Sequence, residues 1–445
     1  MSTSSLLPTT PHAWHARVWR LAFPIIISNM SVPLVGAVDT AVVGHLSDPV
    51  YIGAVATGSV LFSFLFWGFG FLRMGTTGFV AQAYGADDMT EVRTTLLRAL
   101  LLGLIFGLAL VALQSPIRWL GFVWLSSDAG LLSLAADYFH VRIWSGPATL
   151  VNHALLGCLI GTHRSGAALG LQLLLNGSNI ALNFWFVLGL GWGVEGVALA
   201  SVLAEYLAAG AGLWSMLRWL RRRDPGGGLN HLLEPERIRA LAMVNVNIFL
   251  RTLFAILTNY AFLAAGTRFG EVVLAANAIL MHLQHFLAHG LDGFAHAAEA
   301  LAGSAFGSGR RAPFRAAVRV TTVWALVTAL VFTGIYAGLG KIFIGWMTGI
   351  PEVRETAVAF LPWLLISPIL SVWSFQLDGI FIGATQPVEM RNSMLLSLVC
   401  FLGAAWLLMP WLGNHGLWLA YMVFMVVRAL TLGAWYPRLE RALRE

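Results

Sequence analysis

Charge is what this sequence has least of. Asp, Glu, Lys and Arg make up 11% of its 445 residues, against roughly 25% in soluble domains, and Lys341 is the only lysine. With 58% hydrophobic residues and a mean hydropathy of +0.76, a soluble globule is excluded and a polytopic membrane protein is indicated. Cysteine is nearly absent too. Cys158 and Cys400 lie in apolar runs without paired spacing, so no disulfide framework and no zinc site is expected. There is no phosphate-binding loop, because the one Gly-Lys pair, Gly340-Lys341, is followed by Ile342 and lacks the rest of the motif. An ATP-driven engine within this chain is thereby excluded. No nucleophile and base stand at a hydrolase spacing, so no enzyme, cofactor or nucleic-acid partner is expected. The opening MSTSSLLPTTPHAW has neither the pattern of a cleaved signal peptide nor a Gly after Met1, and reads as a short retained tail.

What is present is long apolar runs. Twelve candidate spans fall at 17–43, 51–77, 94–114, 131–160, 166–189, 194–219, 240–265, 271–302, 316–339, 354–383, 391–411 and 415–436, each near the roughly 20 residues that cross the hydrocarbon core. With both termini on the cytoplasmic side, the inner loops and flanks hold nineteen arginines, whereas the outer loops hold only Arg118, Arg268, Lys341 and Arg354. That asymmetry is the expected one for cytoplasmic loops.

The clearest break in composition is RRRDPGGGLNHLLEPER at 221–237, a charged, Gly- and Pro-rich stretch that reads as a linker. On either side of it motifs recur 222 positions apart. Gln82-Ala83-Tyr84-Gly85 matches Ser304-Ala305-Phe306-Gly307, Ile52-Gly53-Ala54 matches Leu274-Ala275-Ala276, and Leu155, Gly157 and Gly161 match Leu377, Gly379 and Gly383. Gly196 and Gly416 recur at 220. Six spans per half make the repeats parallel. The expected organisation is an N-terminal lobe at 1–219, a cytoplasmic linker at 220–238 and a C-terminal lobe at 239–445, all α, with a polar cavity within or between the lobes.

Four stretches carry a family resemblance along the whole chain: RLAFPIIISNMSVPLVGAVDTAVVGHL at 20–46, FLRMGTTGFVAQAYGA at 71–86, LDGFAHAAEALAGSAFG at 291–307 and LDGIFIGATQPVEMRNSM at 377–394. Together they resemble the multidrug and toxic compound extrusion (MATE) transporters, in their DinF-like branch. The resemblance implies two six-helix lobes, alternating access in a bacterial inner membrane by a monomer, and efflux of amphipathic cations against inward flow of protons or sodium. Composition and periodicity say nothing of the substrate.

Individual residues are candidates for that chemistry. Asp39 stands in an otherwise apolar, small-residue run. A carboxylate near the bilayer centre costs about 2.5–3.5 kcal/mol even on the lenient insertion scale. It persists either as a satisfied interhelical hydrogen bond or as a functional acid, and a carboxyl held out of water exchanges its proton nearer neutral pH. Pro24 and Pro33 share its span, and proline removes a backbone bond and permits bending. By the resemblance, Asp39 falls on the coupling acid of the N-terminal lobe and Pro24 on the first-helix proline that bends. Asn176, Asn179 and Asn183 lie on the fifth span, either as interhelical glue or as part of the coupling site. Related transporters commonly carry Asp where Asn183 stands, and its loss weakens a sodium site, which wants anionic oxygens. A proton is the expected ion.

His282, His285, His289, Asp292, His296 and Glu299 follow spacings of 3, 4, 3, 4 and 3, which keeps them on one helical face. His285 and His289 suggest metal only weakly, since a tetrahedral site needs further ligands. Cavity lining or a titrating relay are the other readings, with Asp292, Glu299, His289 and His296 facing substrate or water. Asp378 is read either as cavity-lining, matching a cation-coupling position of another MATE branch, or as a hydrogen-bonded acid beside Gly379. Arg73 snorkels or lines the cavity; Arg251 lies deep enough to require an acid the sequence does not identify, and Glu205 is the remaining deep acid. The rivals to proton-driven export are sodium-driven export and a lipid-linked sugar flippase. The flippase would favour an arginine-lined cavity for its pyrophosphate.

Overall fold

The structure, a computed structural model, describes residues 7–44, 50–122, 129–223 and 232–444, with the side chains at 32–34, 37, 40 and 129 outside that description. Residues 224–231 of the linker expected at 220–238, and the side chain of Pro33, therefore lie outside the described residues. The helices are α1 (Pro11–Val43), α2 (Val50–Gly68), α3 (Phe71–Gly85), α4 (Met89–Ala112), α5 (Gln114–Phe122), α6 (Ala129–Arg142), α7 (Gly146–Gly161), α8 (Ser165–Asn183), α9 (Val194–Arg223), α10 (Pro235–Gly266), α11 (Glu271–Gly307), α12 (Arg311–Met347), α13 (Pro351–Gly383), α14 (Pro387–Leu412) and α15 (Asn414–Arg441). Among the described residues eleven helical segments are long and apolar enough to cross a bilayer, and the 33-residue α1 covers the first of the twelve expected spans.

Two spans that read as continuous are interrupted. The second breaks into α2 and α3, where the amides of Phe69 and Gly70 reach back three residues to the carbonyls of Phe66 and Trp67. The fourth breaks into α6 and α7 through one tight turn at Ile143–Ser145, because Pro147 at the start of α7 has no amide to offer the preceding turn. This second break brings Arg142 to the end of α6.

The chain divides into two compact units, one formed by residues 27–241 and the other by 1–26 with 242–445. The first division falls inside α1, just past Pro24. Each unit closes on its own small residues. In the first, a Cβ on Gly157 or Gly161 would collide with the carbonyls of Arg73 and Thr77, so α7 lies directly against α3. In the second, Gly379 and Gly383 bring α13 onto the carbonyls of Ala295 and Glu299 of α11. All four members of the second set stand 222 positions after their counterparts. Small residues are what allow backbones in lipid to approach this closely.

The turns repeat with the same offset. Left-handed residues occur at Asp87 and Gly309, at His163 and Thr385, and at Gly191 and Gly413. In the first half Asp88 donates to the Ala83 carbonyl and Arg164 to that of Leu159, while Gln386 donates to Phe381 in the second; this is the bonding by which a left-handed residue ends a helix. His163 and Thr385 accept a conformation that favours glycine because the same pair of bonds closes α7 and α13.

Buried side chains supply the remaining hydrogen bonds that lipid cannot. Asn277 and Asn414 exchange bonds of 2.7 and 2.9 Å and Trp418 donates to Asn277 at 2.9 Å. Gln376 donates to Thr321 and Ser367 to Gln284, each at 2.6 Å.

Candidate functional site

In the unit formed by residues 27–241, helices α1, α2, α6, α7, α8 and α9 enclose a cavity of about 380 Å³ lined by Asp39, Arg142, Glu205, Asn176 and Asn179 among others. Asp39 reaches it from the second half of α1. Its Oδ1 accepts a 2.5 Å hydrogen bond from Nδ2 of Asn183, the same group lies 3.2 Å from Asn179 Oδ1, and Asn179 donates to Ser201 Oγ at 2.9 Å. One turn earlier Asn176 donates to Ser31 at 2.7 Å and accepts from Gln172 at 3.0 Å. The spacing of the three asparagines along one face of α8 makes this chain of bonds from α1 through α8 to α9 possible. A π-helical segment, Phe184–Gly189, begins directly after Asn183, and such segments recur at functional positions.

The same cavity is lined by a second acid. Glu205 of α9 is buried and accepts a 2.8 Å bond from Asn152 Nδ2 of α7. Arg142 stands 3.9 Å from it, donates to Ser145 Oγ, and has its guanidinium carbon 5.6 and 5.4 Å from the ring centres of Phe62 and Phe66. It lines the same cavity as Asp39. Tyr138, 3.3 Å from Ser59, and His153 complete the titratable lining. Oδ1 of Asn183 and Oδ1 of Asn152 are buried acceptors without a donor in the structure. Such groups are costly unless water or a bound ligand satisfies them. The cavity can therefore exchange a proton, hydrate itself, and seat a positive group against aromatic faces.

Asp39, Asn179 and Asn183 are brought together as their positions suggested. Arg73 is half-buried, touches Gly157 through its carbonyl, and is not among the residues lining this cavity. Arg142, Tyr138 and Asn152 are the residues that sequence reasoning missed. The charge count held the signal for Arg142: of 27 basic residues, 19 fall on the flanks expected to be inner and 4 on those expected to be outer, leaving Arg73, Arg142, Arg251 and Arg428 within the expected spans.

The other unit holds a different centre. Asp378 of α13 accepts hydrogen bonds on Oδ2 from both Arg251 of α10 and Arg428 of α15. This supplies the acid that Arg251 required. The guanidinium of Arg428 also lies 5.5 Å over the ring of Phe375. An acid held by two guanidinium groups is not open to a solvated cation, so the geometry favours the hydrogen-bonded reading of Asp378 over the coupling one. On α11 the polar face runs from exposed to enclosed: His282 and His285 are exposed, His289, Asp292 and His296 half-buried, and Glu299 fully buried. Nδ1 of His289 is 2.7 Å from the His285 carbonyl, and among the described residues no three potential ligands converge on a metal position.

Helical breaks, a duplicated twelve-span backbone and a polar cavity inside one half are the architecture of a membrane transporter rather than an enzyme. The sequence model of the MatE family matches the chain twice, at residues 24–185 and 247–409, and the chain belongs to that family. Within it the similarity is to the DinF-like branch: the chain is 40% identical over 421 residues, 95% of its length and 92% of the relative's, to the DNA damage-inducible protein F of Escherichia coli K12. It is 29% identical to a probable multidrug resistance protein NorM of Deinococcus radiodurans, with 93% of each chain covered. Its fold is shared with a MOP superfamily transporter from Pyrococcus furiosus, at a TM-score of 0.87, 19% identity and 99% coverage of both chains. The two matches of one family model to the two halves agree with the 222-residue offset of the helix contacts and turns.

Proposed function

We propose that this protein is a proton-coupled multidrug exporter of the bacterial inner membrane, acting as a monomer and moving amphipathic organic cations outward by alternating access. The observation that carries the reading is the charge balance of the cavity: two carboxylates, Asp39 and Glu205, share one lining guanidinium, Arg142. A second negative charge in a low-dielectric space is expensive, so the cavity takes up a positive species, and proton and organic cation are alternatives for it. Asp39 is the carrier, because its hydrogen-bond donor is the neutral amide of Asn183, which leaves the carboxyl free to alternate. Asn179 and Asn183 orient it, and Pro24 lets α1 bend as its protonation changes. Relatives named as multidrug resistance proteins support the substrate class.

The lobes at 1–219 and 239–445, joined by the linker at 220–238 with both termini cytoplasmic, are the proposed moving halves. The half-buried Asp292, His289 and His296 add a hydrated face to the second lobe, closed at its end by Glu299. Sodium coupling is the second reading, favoured by the unpaired Oδ1 of Asn183 beside the Asp39 carboxylate. A single carboxylate with neutral amides is a poor cage for a hard cation.

Purified protein in liposomes separates these readings. A pH gradient in sodium-free buffer drives efflux of a fluorescent organic cation in the wild type, and Asp39→Asn abolishes it while the variant still folds and inserts. Gradient-driven efflux by Asp39→Asn at the wild-type rate refutes the carrier role.

A further inference from the structure

The cavity of the 27–241 unit holds, besides its two acids, a guanidinium set against two aromatic rings. We infer that Arg142 is a resident, tethered stand-in for the transported cation, and that an aromatic organic cation binds by displacing it from Glu205, Phe62 and Phe66. The inference deepens the export reading of the same cavity and rests on it.

Three observations carry it. The guanidinium group lies 5.6 and 5.4 Å from two ring centres, within the roughly 6 Å over which a cation is attracted to an aromatic ring. It is nevertheless 3.9 Å from the Glu205 carboxylate, longer than a charge-assisted hydrogen bond, about 2.7–2.9 Å; the hydrogen bond to Glu205 comes from Asn152 instead. Arg142 therefore faces the acid without being locked to it, whereas the second half shows what a locked arginine looks like, since Arg251 and Arg428 both bond directly to Asp378. Finally, Arg142 stands beside the break at Ile143–Ser145, where the helix can rotate its last side chain at little cost to the backbone bonds on either side.

The consequence is specific. An arriving cation and Arg142 compete for one acid and one pair of rings, and like charges placed together in an interface oppose each other. The displaced guanidinium remains in the cavity that Asp39 also lines, so substrate and Arg142 are linked through the same space.

The test is equilibrium binding of ethidium to detergent-purified full-length protein, followed by fluorescence anisotropy with no gradient present. Arg142→Gln keeps a planar donor but removes the charge, and binding tightens by about tenfold or more, the factor expected from about 1.4 kcal/mol of relieved repulsion. Arg142→Lys keeps the charge and leaves affinity near that of the wild type. Arg142→Gln with Glu205→Gln loses the gain. If Arg142→Gln binds ethidium as the wild type does, or more weakly, Arg142 is a structural counter-ion and the inference fails while cation export stands. If neither protein binds ethidium, both fail. Melting curves of each variant confirm that a change of affinity is not loss of fold, and where Arg142→Gln does not fold, the likewise uncharged Arg142→Met takes its place with the same two outcomes.

Discussion

Asp378→Asn is the substitution whose outcome the structure constrains most tightly. In the native protein Oδ2 of Asp378 accepts from both Arg251 and Arg428, and the three side chains are 8%, 12% and 5% exposed. Asparagine keeps an acceptor of nearly the same shape but removes the charge, leaving two guanidinium groups converging on a neutral amide. Two like charges about 5 Å apart at an effective dielectric of about 20 repel by about 3 kcal/mol. Removing one member of a buried ion pair costs about 3–5 kcal/mol in other proteins. The two figures agree on an expected loss of about 3 kcal/mol. Cys158 is fully buried and Cys400 half-buried, so in a background lacking Cys400 a thiol-reactive dye reports unfolding of purified protein on heating. Asp378→Asn melts several degrees below the wild type, and adding Arg428→Gln recovers part of the difference. Asp39→Asn is the control: Asp39 receives its bond from an amide, so its melting point moves little although transport is lost. An Asp378→Asn variant that melts with the wild type, or an Asp39→Asn variant that melts well below it, refutes the assignment of one acid to architecture and the other to coupling.

Other expectations follow from the same geometry. Asn183→Asp places a second carboxylate beside Asp39 and raises the sensitivity of transport to sodium; uptake in buffers differing only in sodium measures it, and an unchanged sodium dependence counts against the role given to Asn183. Gly157→Ala and Gly379→Ala each push a Cβ into a backbone carbonyl of the facing helix and lower stability by about 1–3 kcal/mol, equally in the two halves; melting unchanged in either contradicts the close approach. Cysteines at 289, 292 and 296, on a half-buried face, react with a water-soluble thiol reagent in a background lacking Cys158 and Cys400, whereas cysteines replacing the fully buried Leu287 and Phe294 do not. Equal protection at all five positions removes water from that face.

Much of this molecule is legible from local properties of the chain. Apolar runs of the right length predict twelve spans because the bilayer sets one dimension for all of them. The 222-residue self-similarity predicts matched halves because the glycines that recur are those at which backbones touch. Asp39 stands out because an acid in such surroundings is expensive wherever the helix faces, and the stripe on α11 follows from periodicity alone. The breaks in the second and fourth spans escape this reading, since hydropathy does not distinguish a continuous span from an interrupted one. Charge pairing escapes it altogether. Arg251 and Arg428 lie 127 and 50 residues from Asp378, and Arg142 and Glu205 come from different helices. Whether an acid is clamped, shared or left free depends on which helices are neighbours and how each is rotated about its axis. Asp378 and Asp39 look alike in sequence as carboxylates in apolar helices; packing gives one of them two arginines and the other an asparagine, and it is this difference on which the proposed division between a structural acid and a proton carrier rests.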